Sequence, residues 1–310
     1  MVLRGKVLAA YIVVCVLWGS TYIAIRIGDR TLPPLLFAGV RFLTAGAMLF
    51  VAARVAGQRL PARARDWRDL SIVGLLLLSG NTCVVVAERF TPAGVASVFV
   101  AMAVVWTAFF EGLAAGRASG LSRRMVAGLA LGLLGTIVLV GLTPGDLAHA
   151  DWRGPAILTL GTLLWASGAV YYRHTRPRAG TYLGAAVEML AAGVVITAAG
   201  LAFGEGPRFH LTASGAGSLA YLIVFGSLVG YSAYNFALTH APATVVGTYT
   251  YVNPVVAVLL GWALLGEPID ARIIAGMCIV LAAVIGTQVS WRPARGPARG
   301  LTGTPDRRIY

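Results

Sequence analysis

Apolar residues run in blocks along most of this chain, parted by short polar or basic stretches, and the blocks reach the roughly 20 residues that a helix needs to cross a bilayer. Ten spanning helices are predicted by that measure, at about 7–27, 34–56, 70–87, 94–116, 124–142, 153–173, 182–203, 214–238, 244–265 and 271–290. The ninth block is the most marked. Its stretch 243–268, ATVVGTYTYVNPVVAVLLGWALLGEP, is apolar enough to span yet carries Tyr249, Tyr251, Asn253 and Pro254 near its first third. A helix that only sat in lipid has no use for a breaker and hydrogen-bonding groups at that depth. The third block has Ser79, Gly80 and Asn81 in its middle, and the tail from Trp291 to Tyr310, rich in Arg, Gly and Pro, has no apolar face and is expected to be disordered.

The blocks repeat. LWGS at Leu17–Ser20 matches LWAS at Leu164–Ser167, an offset of 147, and 23 residues after each Trp comes the one ionisable residue inside the next span, Arg41 and Glu188. RFLTAG aligns there with EMLAAG. Thr91-Pro92-Ala93 matches Ala241-Pro242-Ala243, and Gly80 and Gly116 match Gly230 and Gly266, at an offset of 150; MVAGLALGLLG resembles IIAGMCIVLAA at 148. Such constant offsets point to an internal repeat, with a first unit over 1–142, a second over 153–290 and the tail 291–310. Each unit holds five spans, an odd number, so the second enters the membrane inverted. The expected fold is an all-α membrane protein of ten transmembrane helices in two inverted five-helix repeats.

Composition agrees and excludes the soluble classes. The 310 residues are 58% hydrophobic and 12% charged, with a mean hydropathy of +0.78, whereas soluble domains carry about 25% charge. The net charge of +13 lies in short tethers between apolar blocks, a placement that suits the positive-inside rule rather than nucleic acid. With the N-terminus inside, internal segments hold 18 of the Lys and Arg residues and external loops 6, while Asp29, Glu88, Asp146, Asp151, Glu205, Glu267 and Asp270 gather outside. Both termini are therefore expected on the cytoplasmic side of the cell membrane. The basic, apolar N-terminus continues too far for a signal peptide and is expected to remain as the first helix. Cys15, Cys83 and Cys278 lack the spacing of a metal or redox site.

The LWGS, RFLTAG, APA, YVNPVVAVLLGWALLGEPI and IIAG stretches together resemble the EamA-type transporters of the drug/metabolite transporter superfamily, over about residues 7–290. The resemblance implies a ten-helix carrier that exports or exchanges small metabolites by alternating access, with the fifth helix of each half peripheral. The first half departs from the pattern, having Val104 where the second has Pro254, and Arg117 where the second has Glu267.

Candidate site residues follow from polarity at depth. Pro254 removes a backbone donor and is expected to bend the ninth span near Thr250; with Tyr251 and Asn253 beside it, the bend either faces substrate or is a structural kink. Tyr231, Tyr234 and Asn235 fall on one face of the eighth span, with Asn81 as the counterpart of Tyr231 in the third. Trp18 and Trp165 sit in mid-span, away from the interfacial belt, and Tyr22, Tyr171 and Trp106 could complete an aromatic wall. Arg41, Glu188 and Glu111 are intramembrane charges, which are costly and thus functional candidates; proton coupling would fall to Glu188 and Glu111. Small residues recur in the fifth and tenth spans, at Gly128, Gly132, Gly135, Ala275, Gly276 and Ala283, and serve either internal packing or a homodimer.

These features point to a secondary carrier of a small organic metabolite, such as an amino acid or amphipathic compound, with no cofactor and no metal. The competing class is an intramembrane enzyme acting on lipid-linked substrates. It requires convergent acids, histidines or a metal, and His149, His174, His210 and His240 lie in loops or at span ends. No soluble output domain of a sensor and no filter motif of a channel is visible.

Overall fold

In a computed structural model the chain is described over residues 3–91, 93–114, 123–145, 151–265 and 268–290. The expected disorder of 291–310 and the exchange of Arg117 for Glu267 lie outside the described residues. All regular structure within them is helical: α1 (Gly5–Asp29), α2 (Pro34–Val55), α3 (Ala64–Ala87), α4 (Ala93–Ala114), α5 (Arg123–Val140), α6 (Arg153–Thr175), α7 (Thr181–Ala202), α8 (Ala213–His240), α9 in two pieces (Ala243–Gly247 and Tyr249–Leu265) and α10 (Ala271–Ser290). Nine of these helices are long and apolar enough to span a membrane among the described residues, and Ala271–Thr287 of α10 is a shorter apolar segment. Ile12, Met48, Phe109, Leu134, Val195 and Ile285 are exposed on the outer surface, where lipid is the solvent that favours them.

Helix α3 begins at Ala64, before the expected position near residue 70. Its polar first turns are held by partners that composition hides: Asp66 accepts from the Arg178 amide at 3.1 Å, and Asp69 accepts from the Tyr171 hydroxyl at 3.0 Å and from Arg68.

The repeat is inverted in space. Helix α2 packs along α7 and α5 along α10; along α2, Leu36, Gly39, Leu43 and Gly46 meet Gly200, Thr197, Gly193 and Leu190 in turn, so the two equivalent helices run antiparallel. The ends are exchanged just as symmetrically. Gly57 and Gly204 close α2 and α7 with φ of +79° and +72°, the left-handed geometry that glycine adopts without strain. The next residue in each unit then caps the partner helix: Gln58 Oε1 accepts from the Leu183 amide at 3.1 Å, and Glu205 Oε2 from the Leu36 amide at 2.8 Å. Gly57 and Gly204, Gln58 and Glu205, and Leu36 and Leu183 are all separated by 147 residues, the offset of the two Trp motifs.

Of the four apolar clusters among the described residues, the two with the most residues surround the centre. The larger joins α1, α2, α3, α4, α6, α7, α8 and α9 and contains Trp165, Tyr231 and Tyr234. The smaller joins α4, α5, α9 and α10 around Tyr251 and Val104, and places the fifth helix of each unit at the periphery. The small residues of that pair are used inside the fold. A Cβ on Gly128 would lie 2.6 Å from the Thr287 hydroxyl, one on Gly135 2.9 Å from the Val280 amide, and one on Gly276 2.5 Å from the Leu139 backbone; close backbone approach is what such residues allow.

Candidate functional site

Both signature tryptophans meet at the centre, ring centroids 5.4 Å apart and edge to face. A glycine of the opposite repeat makes room for each. Gly80 of α3 abuts the Trp165 backbone and Gly230 of α8 abuts the Trp18 ring, where a Cβ would approach to 3.0 and 2.6 Å respectively. The two glycines are the pair seen at an offset of 150 in the sequence. Tyr234 and Tyr249 close the layer, lying 5.1 and 5.0 Å from Trp18, with Tyr231 stacked on Tyr234 at 6.2 Å.

Helix α8 carries a π-helical segment at Leu222–Val229. Widening the turn takes carbonyls out of the regular α-helical ladder, and one of them, Gly226, accepts from Trp18 Nε1 at 2.9 Å. The mid-membrane indole thus has its partner from a backbone irregularity that residue pattern alone did not show. Ser227, the next residue, accepts from Arg41 Nε at 2.9 Å. Asn81 Oδ1 lies 3.4 Å from Arg41 Nη1.

Between these groups lies a cavity of about 70 Å³, lined by seven helices drawn from both repeats. Trp18, Tyr22, Arg41, Asn81, Trp165, Tyr231 and Asn253 all border it. Tyr249, one of the polar interruptions of the ninth block, borders it too, as do Thr21, Thr162, Gly226 and Ser227, which the sequence pattern did not mark; Thr21, Thr162 and Ser227 each lie one helical turn from a residue that it did. The tyrosine and tryptophan layer separates the cavity from the face where α1 begins. Toward the opposite face stands a second, more polar pocket of about 550 Å³, lined by Arg26, Asp29, Arg30, Glu88, Arg89, Phe90 and Thr91. Burial and the neighbouring Asp29 lift the Glu88 carboxyl to about 8, against the pull of Arg26.

Other expected site residues lie elsewhere. Tyr251 is turned away from the cavity: its ring packs over Gly132 of α5 and its hydroxyl donates to the Leu129 carbonyl at 2.9 Å. Glu188, fully buried, sits behind the cavity wall and accepts from the Tyr231 hydroxyl at 2.8 Å and the Asn235 amide at 2.6 Å. Tyr234 and Asn235 therefore support the wall rather than line it. Tyr171 reaches Asp69 near the start of α3, and Trp106 is half-buried on α4 outside the cavity lining. Glu111 caps a helix: its carboxylate accepts from the Ala243 and Thr244 amides at 2.8 and 3.1 Å and from the Thr244 hydroxyl, completing the start of α9.

The break in α9 falls at Thr248, six residues before Pro254. The Thr248 and Thr250 hydroxyls donate to the Val245 and Gly247 carbonyls at 2.7 and 2.9 Å, and the Tyr251 amide bonds Thr248 three residues back at 3.1 Å. Pro254 itself sits inside the continuous piece Tyr249–Leu265, and its missing amide leaves the Thr250 carbonyl without the usual donor. The polar turn upstream takes up the distortion. Asn253, with its amide nitrogen directed at the Cys15 and Tyr249 carbonyls at 3.3 and 3.1 Å, ties this region to α1. Its counterpart α4, with Val104 against Gly247, is unbroken over Ala93–Ala114.

Among the described residues no group of three or more His, Cys, Asp and Glu side chains could hold a metal ion. The pattern of the EamA-like transporter family matches residues 5–141 and again 152–288. An inner membrane transporter of Escherichia coli (strain K12), YedA, itself uncharacterized, is 38% identical over 91% of this chain and 89% of its own. The uncharacterized transporter YvbV of Bacillus subtilis (strain 168) is 25% identical, with 96% of each chain covered. A solved crystal structure at 18% identity superposes with a TM-score of 0.75 over 93% of this chain and 98% of that one, which shows a shared fold. With both repeats matched and a close relative spanning nearly its whole length, this chain belongs to the EamA-like transporter family.

Proposed function

We propose that this protein is a secondary carrier of small organic metabolites that works by alternating access, with the cavity between its two repeats as the substrate site. The observation that carries this reading is the cavity itself, bordered by Trp18, Arg41, Asn81, Trp165 and Tyr231 from both repeats and bounded on one side by an aromatic layer. Inverted repeats supply two nearly equivalent packings about one central site. In the arrangement described here the aromatic layer is the closed gate, and the cavity lies toward the face bearing Arg26 and Glu88. Rocking one repeat against the other would part that layer and close the opposite side.

The excess of basic residues on the face where α1 begins supports a topology with both termini in the cytoplasm, and the name of the Escherichia coli relative supports placement in an inner membrane. On that topology the cavity lies toward the outside. Purified protein in liposomes, loaded with a broad metabolite panel and assayed by counterflow, tests the carrier reading: saturable exchange of at least one small organic compound is expected, and its absence for every member would defeat the proposal. Reporter fusions that place the loop near Arg63 outside the cell would overturn the orientation.

A further inference from the structure

The guanidinium of Arg41 borders the cavity, is 5% exposed as a residue, and has no carboxylate within 4.0 Å among the described residues. A buried cation without a counter-ion is expensive in a membrane. A guanidinium has five N–H donors in a planar fork. Ser227 Oγ takes one and Asn81 Oδ1 takes a second at the longer distance of 3.4 Å; the others have no acceptor among the described residues. The Asn81 amide, facing the same space, adds N–H donors that are likewise unengaged.

Several of the other polar groups around the cavity are engaged within the protein. Trp18 Nε1 is given to Gly226, the Thr21 and Thr162 hydroxyls to carbonyls of their own helices, and the Tyr231 hydroxyl to Glu188. No acidic residue lines the cavity. Glu188, the one fully buried intramembrane carboxylate nearby, is held behind the wall by two donors. The cavity therefore offers donors and positive charge at one end and aromatic surface at the other.

Building on the carrier reading above, we infer that Arg41 and Asn81 form an anion subsite, and that the transported class is a small monocarboxylate with a short apolar or aromatic body. The forked geometry of Arg41 suits bidentate recognition of a carboxylate, and Trp18 and Trp165 provide the flat surface for the body. A space of about 70 Å³, which is room for about five waters, admits a carboxylate and a few further atoms before side chains must move. Gly226 keeps the fork accessible, because a Cβ there would stand 2.8 Å from Arg41 Nη2.

The test is a binding panel on the purified full-length protein: monocarboxylates such as propionate, benzoate and phenylacetate, with their matched amides and amines, followed by quenching of intrinsic tryptophan fluorescence and by thermal stabilisation. The carboxylates should bind about tenfold or more tighter than their amides and amines, the loss expected when a charge-assisted bond is removed. Arg41→Gln should abolish that preference, and Arg41→Lys should keep it with weaker binding. Asn81→Asp places a carboxylate beside the guanidinium and should abolish carboxylate binding without lowering the melting temperature, which keeps the test open should Arg41→Gln fail to fold. Equal or tighter binding of amines or amides, or carboxylate binding undiminished in both Arg41→Gln and Asn81→Asp, overturns the assignment. The liposome assay separates the two readings: exchange of neutral or cationic compounds with carboxylates ignored removes the anion subsite alone, whereas no exchange and no binding of any compound removes the carrier reading with it.

Discussion

The two repeats share one plan and differ in how regular their helices are. In the first, α3 and α4 run unbroken. In the second, their counterparts carry a π-helical stretch at Leu222–Val229 and a break at Thr248. The irregular half also supplies most of the polar partners at depth. Helix α8 meets Arg41 through Ser227 and Glu188 through Tyr231 and Asn235, so these two equivalent intramembrane charges, one from each repeat, rest on one helix within about two turns. Backbone symmetry built the cavity, and departure from it made the site polar.

Proline exchange gives the largest expected contrast. Val104→Pro breaks a continuous helix at a residue packed on Gly247 and should cost about 3 kcal/mol or more, read as a large fall in melting temperature in detergent. Pro254→Ala restores a donor in a helix whose turn is already loosened upstream, so it should barely change the melting temperature while slowing exchange. Equal, negligible effects of both would show that the asymmetry of α4 and α9 carries no function.

The paired charges come next. Glu188→Ala leaves the Tyr231 hydroxyl and the Asn235 amide unpaired in the core and should destabilise by about 2–4 kcal/mol. Arg41→Gln removes a charge that has no counter-ion, and its effect on stability should stay within about 1 kcal/mol. Thermal unfolding of the two variants side by side measures the difference; a larger loss for Arg41→Gln would reverse the roles assigned to the two charges.

The smallest effect belongs to the mouth of the first repeat. Glu88, lifted to about 8 by burial beside Asp29, holds its proton in the folded protein where the unfolded chain has released it. Its contribution to stability is therefore lost as pH rises from the ordinary carboxylate range to about 8. A melting-temperature profile from pH 5 to 9 should slope downward with pH, and Glu88→Gln should flatten it.

Much of this was legible in the residues. Trp18 with Trp165, Gly80 with Gly230, and Arg41 with Glu188 declared the repeat, because a chain that packs against an inverted copy of itself keeps the large rings, the small residues that admit them and the buried charges in register. The matched helix ends at Gly57 and Gly204 carry no distinguishing mark in the sequence, since single glycines are common in apolar chains. The site was legible only in part. Tyr251 and Asn253 stand two residues apart, yet a helix turns about 200° over that step, sending one ring to Gly132 and leaving the other residue at the cavity.

The sequence by itself determined the membrane class, the repeat and its inversion, because span length, hydropathy and an odd number of crossings are local or additive properties. Which charge faces the cavity and which is folded away was decided by tertiary structure alone. Arg41 and Glu188 occupy equivalent positions, and it is α8 that gives Ser227, from its π-helical segment, to the one and Tyr231 and Asn235, from the α-helical turns that follow, to the other. Hydrogen bonds between residues more than forty apart, and carbonyls freed by a widened turn, exist only once the helices are packed.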